Sequence, residues 1–95
     1  MSAVNETLAL SLMKTQLNRL TADTTLDAYF QARISAAIGE IENTGIILTD
    51  STADLMLVVD LAVWRYQNRD KSGAIPPDIR LRCLNRWVQG KGGET

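Results

Sequence analysis

The residue types that carry most enzyme chemistry are scarce in this chain. It has no histidine and a single cysteine, Cys83. The imidazole, the commonest general base near neutral pH and the commonest transition-metal ligand, is therefore missing. Cys83 has no histidine to activate it and falls on an apolar flank of its helical pattern, so it reads as a buried structural residue. Two carboxylate pairs remain. Glu40 and Glu42 are two positions apart in a helical stretch, which turns them about 200° from each other and keeps them from sharing a site. Asp50 and Asp54 could face one another, yet both stand where a helix start attracts acids. No glycine-rich phosphate loop, zinc spacing or calcium loop is present. The sequence predicts no catalytic, cofactor-binding or metal-binding residue, and a role that is not enzymatic.

The basic residues are the other candidates. Arg65, Arg69, Lys71, Arg80, Arg82, Arg86 and Lys91 crowd the last third of the chain. A basic helix after a short connection is one way to read DNA. Against that, the sequence pI of about 5.2 is far from the strongly basic footprint of a typical nucleic-acid-binding domain. The charge is polarised instead. Residues 1–60 hold eight acids and three bases, a net −5, and residues 61–95 hold three acids and seven bases, a net +4. Such a subunit can meet a copy of itself with unlike faces, although scatter in a short chain gives the same pattern.

The elements that must position these residues are all helical. With 45% hydrophobic and 22% charged residues, the composition is that of a globular domain and not of a disordered chain. No apolar run is long enough to span a bilayer. The first residues carry no signal-like pattern, so synthesis in the cytoplasm is expected. Leu10, Met13, Leu17 and Leu20 recur at helical spacing over about residues 5–20, with Arg19 near the C-terminal dipole end. Thr24-Thr25-Leu26-Asp27 has the form of a capping box for a second helix over about 25–43, with Leu26, Phe30, Ile34, Ala37 and Ile41 as its inner stripe and Gly45 as a left-handed stop. Ser51-Thr52-Ala53-Asp54 repeats that capping logic for a third helix over about 52–71, which Arg69 and Lys71 suit at its end and Gly73 closes. Ala74-Ile75-Pro76-Pro77-Asp78 leads into a fourth over about 78–89, with Leu81, Leu84 and Val88 as its inner stripe and Arg82 and Arg86 on its outer face. Ile46-Ile47-Leu48 looks extended but is too short to count as a strand. The expected fold is all-α, a small bundle of about four helices forming one domain over 1–90, with a flexible tail at 91–95.

Two surfaces stand out. The second helix carries Ala28, Ala32, Ser35 and Gly39 on one face. Alanine is a good solvent-facing helix former, but glycine weakens a helix interior by about 0.5–1 kcal/mol relative to alanine. The stripe therefore reads as a place where another backbone comes close. The third helix has two apolar stripes, Leu55–Val59–Ala62–Tyr66 and Leu57–Leu61–Trp64, so it is either the central helix or an intersubunit one. Glu40 and Glu42 lie near a helix C-terminus, where acids oppose the dipole. At least one of them is expected to meet a basic group on a neighbouring subunit, with Arg82 and Arg86 as the candidates.

Three segments carry a resemblance. They are Leu17-Asn18-Arg19-Leu20 with the break and Ala-rich helix that end at Ile41-Glu42-Asn43-Thr44-Gly45; the run Leu61-Ala62-Val63-Trp64-Arg65-Tyr66-Gln67-Asn68-Arg69; and Ile75-Pro76-Pro77-Asp78-Ile79-Arg80 leading into Leu84-Asn85. In this order and spacing, over about residues 10–88, the chain resembles the head-to-tail connector (adaptor) proteins of long-tailed double-stranded-DNA phages and prophages. The resemblance implies a helical subunit that closes into a ring of about 12 copies under the portal protein, at the virion neck. There it would extend the DNA channel without sequence-specific binding and seat a stopper or tail-completion protein. It implies no cofactor and no membrane. The alternative is a small helical DNA-binding or regulatory protein using its basic last helix. On the connector reading the subunit interface is expected among Ala28, Ala32, Ser35, Gly39, Glu40, Glu42, Leu57, Leu61, Trp64, Arg82 and Arg86.

Overall fold

A computed structural model describes residues 3–19, 23–68 and 75–92. Leu20, Arg69, Lys71, Gly73, Ala74 and residues 93–95, each given a place in the sequence reading, lie outside them, as do the side chains of residues 89–92. The described residues form an all-α bundle of four helices: α1 Glu6–Gln16, α2 Asp27–Glu42, α3 Thr52–Gln67 and α4 Pro77–Gly92.

Each helix begins and ends for a local reason, and not always the one the sequence suggests. Asn5 caps α1 by accepting the Leu8 amide at 3.0 Å. The helix stops at Gln16, several residues before the expected end, where Asn18 turns into the left-handed region at φ 59°. Asparagine tolerates that conformation better than most side chains, and Arg19 donates back to the Lys14 carbonyl at 2.8 Å.

The capping box expected at Thr24–Asp27 does not form. Leu26 occupies the N-cap position with no side-chain cap. Asp27 instead accepts from Lys14 Nζ at 2.8 Å, and Lys14 is itself buried. A charged partner on α1 outcompetes a reach back to a backbone amide. At the start of α3 half of the expected box is present: Ser51 Oγ accepts the Asp54 amide at 3.2 Å, but the Asp54 carboxylate turns to Thr49 and Arg86 and the Ser51 amide donates to Thr49 Oγ1 instead. Gly45 takes φ 98°, the left-handed stop the sequence predicts after α2. Pro77 opens α4, and that helix runs to Gly92, so the first two residues of the expected tail are helical.

The core gathers around α3. Leu55, Leu57, Val58, Val59, Leu61, Ala62 and Val63 are all buried. Both apolar stripes of α3 are therefore covered inside the subunit, which makes it the central helix. Ala9 and Met13 of α1, with Phe30, Ile34, Ala37, Ile38 and Ile41 of α2, close over it. Full burial of each large aliphatic or aromatic side chain is worth about 1.5–3 kcal/mol, so this layer dominates the stability. Phe30 meets Tyr66 edge-to-face, with centroids 5.1 Å apart and planes at 88°. Tyr66 is only partly buried. The connection from α2 to α3 is extended without pairing. Ile46 and Leu48 point into the core while Ile47, 77% exposed, points out.

The sidedness of α4 reverses the expectation. Leu81, Leu84 and Val88, expected to face inward, are 57%, 54% and 53% exposed. Ile79 is buried, and Cys83 and Trp87 pack partly against the core. At 100° per residue, Ile79, Arg82 and Arg86 share the face opposite the three aliphatics. On the inner face Arg86 and Arg82 pair with Asp54 and Asp60 of α3, an arrangement that leaves the aliphatic stripe on the solvent side.

Candidate interaction surfaces

The ion pairs between α3 and α4 form the most developed polar arrangement among the described residues. Asp54 is 1% exposed. Its carboxylate accepts from the Thr49 amide at 2.7 Å, Thr49 Oγ1 at 2.9 Å, and Arg86 Nε and Nη2 at 2.8 and 3.1 Å. Arg86 Nη2 also donates to the Ile47 carbonyl at 2.6 Å, which ties α4 to the α2–α3 connection. Burial by itself pushes the Asp54 carboxyl up, but the Arg86 and Thr49 hydrogen bonds outweigh it and hold the group below the ordinary carboxylate range. The same bond, ahead of a smaller opposing effect of burial, raises Arg86. One turn-set further on, Asp60 accepts from Arg82 Nη2 at 2.7 Å and from Gln16 Nε2 of α1 at 3.1 Å. The pairings 54 with 86 and 60 with 82 run α3 and α4 antiparallel.

These contacts revise the expected interface. Arg82 and Arg86 do not stand on an outer face awaiting a neighbour's acids; they are turned toward Asp60 and Asp54 of their own chain. Glu40 pairs with Arg65, whose Nε lies 3.2 Å from Glu40 Oε1. Arg65 also lies against the Trp64 ring, 5.2 Å from its centre. Leu57 and Leu61 are buried by their own chain, which removes them from any subunit contact, and Trp64 is half-buried. Of the expected residues, the small-residue face stays open. Ala28, Ala32 and Ser35 are exposed, and a Cβ built on the half-buried Gly39 would meet nothing within 4 Å. Glu42 lies on the flank of that face with no ion pair among the described residues. Ser35 Oγ donates to Glu6 Oε1 at 3.3 Å, which places a second acid on the same flank.

The periodicity alone does not reveal a second open surface, the Leu81–Leu84–Val88 stripe. Its signal in the sequence is the pair of acids on an otherwise apolar α3, matched by two arginines four apart on α4. Beside the stripe lies an apolar groove of about 410 Å³, walled by Ile41, Thr44, Leu61, Ile75, Cys83, Leu84 and Trp87, with Glu40 and Arg80 at its edges. Burial pushes the Cys83 thiol up, against the opposing pull of Arg82. The thiol is thus held in its protonated, poorly nucleophilic form. Among the described residues no group of three or more acids or cysteines is placed to hold a metal ion, and no helix is long and apolar enough to cross a membrane.

No protein-family model, curated protein or solved structure matches the chain.

Proposed function

We propose that this chain is a structural subunit of a phage head-to-tail connector, a non-enzymatic protein that assembles into a ring below the portal protein and passes DNA to the tail. The observation that carries the reading is the pair of unlike open faces on one small subunit, aliphatic on α4 and small-residue on α2. A closed ring needs two different patches that recognise each other, because each copy contacts one neighbour with one patch and the next with the other. The likeness of three of its segments to the connector family supports this reading. The DNA-reading alternative loses ground because Arg65, Arg82 and Arg86 are engaged by Glu40, Asp60 and Asp54. On this reading the ring sits at the virion neck, between the portal and a stopper or tail-completion protein.

The test is electron microscopy of the purified chain mixed with the portal protein encoded by the same genome. Rings stacked coaxially on the portal are expected. A chain that ignores the portal yet shifts duplex DNA in a salt-dependent manner would replace this reading with the DNA-binding one.

A further inference from the structure

The helix α4 is amphipathic in the opposite sense from a helix held by hydrophobic burial. Its arginines face its own subunit and its aliphatics face away. A ridge of Leu81, Leu84 and Val88, each more than half exposed, is a liability unless something covers it. Resting on the connector reading, we infer that this ridge docks onto the small-residue face of α2 in a second copy of the chain, with Leu84 as the central knob over Gly39.

Shape and charge both select this occupant. On α2 the positions 28, 32, 35 and 39 form one stripe at the centre of the exposed face. With no side chain larger than a serine hydroxymethyl there, a second helix can approach to the short end of the 8–10 Å range of packed helices. The open space beyond Gly39 is where a leucine of the incoming helix fits. Arg80 borders the α4 ridge and Glu42 borders the α2 face. Neither has an ion pair among the described residues, and Glu6 stands on the same flank as Glu42. A head-to-tail contact brings that base to those acids. Pairing the ridge with itself about a two-fold axis would instead leave the α2 face uncovered and Arg80 without those acids. A contact of about three helical turns is smaller than the roughly 800 Å² per partner of a stable interface. An isolated pair should therefore be weak, with ring closure supplying the missing avidity.

Disulfide trapping tests the contact at high protein concentration. In a Cys83→Ser background, Gly39→Cys and Leu84→Cys are made as separate full-length proteins, each checked for helicity and thermal unfolding. A disulfide requires Cα atoms within about 7 Å. Oxidation should therefore give a cross-linked dimer when the two proteins are mixed, and not with either alone. Should the Cys83→Ser background unfold, the same variants are made with Cys83 retained and the joined cysteines are identified by peptide mass spectrometry. Leu84→Cys homodimers as the main product would overturn the proposal in favour of a two-fold contact. It is also overturned if the mixture cross-links no more than a Thr7→Cys control on the exposed side of α1. If portal-bound rings form while the mixture stays uncross-linked, this interface is wrong and the connector reading survives. If neither is seen, both fail.

Discussion

Replacing Arg86 by methionine isolates the contact that decides which way α4 faces. The substitution keeps the aliphatic stem and removes the charge, leaving the Asp54 carboxylate, 1% exposed, with only the Thr49 amide and hydroxyl as donors. Removing one partner of a buried ion pair costs about 3–5 kcal/mol, because the other charge stays buried. The two Thr49 bonds soften this, which places Arg86→Met near the lower end, about 3 kcal/mol. For a domain of this size that is a fall in Tm on the order of 10–20 °C. Asp54→Asn on top of Arg86→Met removes the stranded charge and should recover part of the loss, a coupling of at least about 1 kcal/mol. The pH dependence separates this from a packing effect. Asp54 is held below the ordinary carboxylate range. Its stabilisation is therefore complete above the unfolded-state pKa of about 3.9 and is lost as pH falls through the lower folded-state value. Without Arg86, burial is opposed by Thr49 alone, so Asp54 has less stabilisation to lose in acid and the deficit of the variant against the native protein should narrow as pH falls. Urea unfolding followed by circular dichroism from pH 2 to 7 measures both effects. A variant that loses less than about 1 kcal/mol at pH 7, or whose deficit is the same at pH 2 as at pH 7, would refute the idea that this pair orients α4.

Three further outcomes follow from the geometry. Phe30→Ala removes a ring that is 1% exposed and stacked edge-on against Tyr66, and should cost about 3–5 kcal/mol in chemical unfolding, enough to unfold a marginal domain. Gly45→Ala places a Cβ 3.3 Å from Trp87 Nε1 at a backbone φ of 98°, so it should lose about 1–2 kcal/mol and shift the tryptophan fluorescence. Cys83, half-buried with a raised pKa, should react with a thiol reagent far more slowly in the native protein than in denaturant at pH 8; equal rates would show the groove to be open to water.

Most of the helical architecture was legible in the residues, because it rests on local causes. Ser51 and Pro77 mark helix starts by chemistry that needs no partner elsewhere, and the apolar spacing of Phe30, Ile34 and Ile41 needs only one face toward a core. The errors lie where a distant residue decides. The Thr24 capping box fails because Lys14, 13 residues before Asp27, claims the carboxylate. On α4 the period shows that Leu81, Leu84 and Val88 share a face. Which face turns inward is set by Asp54 and Asp60, 32 and 22 residues away from their arginines. The candidate surface divided in the same way. The small residues of α2 were recognised from glycine and alanine alone, whereas Leu57 and Leu61 lost their place once the fold covered both sides of α3.

The ionic seat of α4 also bears on how the folded chain comes apart. Helices α1, α2 and α3 share an oily interior and should open together, at the cost of global unfolding. The fourth helix leans on that body through two arginines, a buried isoleucine and the flanks of Cys83 and Trp87. Segments with few buried apolar contacts open at lower free energy than the core. Amide protons of α4 should therefore exchange through a partial opening that leaves the other three helices intact. Salt should promote that opening by weakening the half-exposed Arg82–Asp60 pair. On this view the fourth helix should unfasten before the three-helix body unfolds.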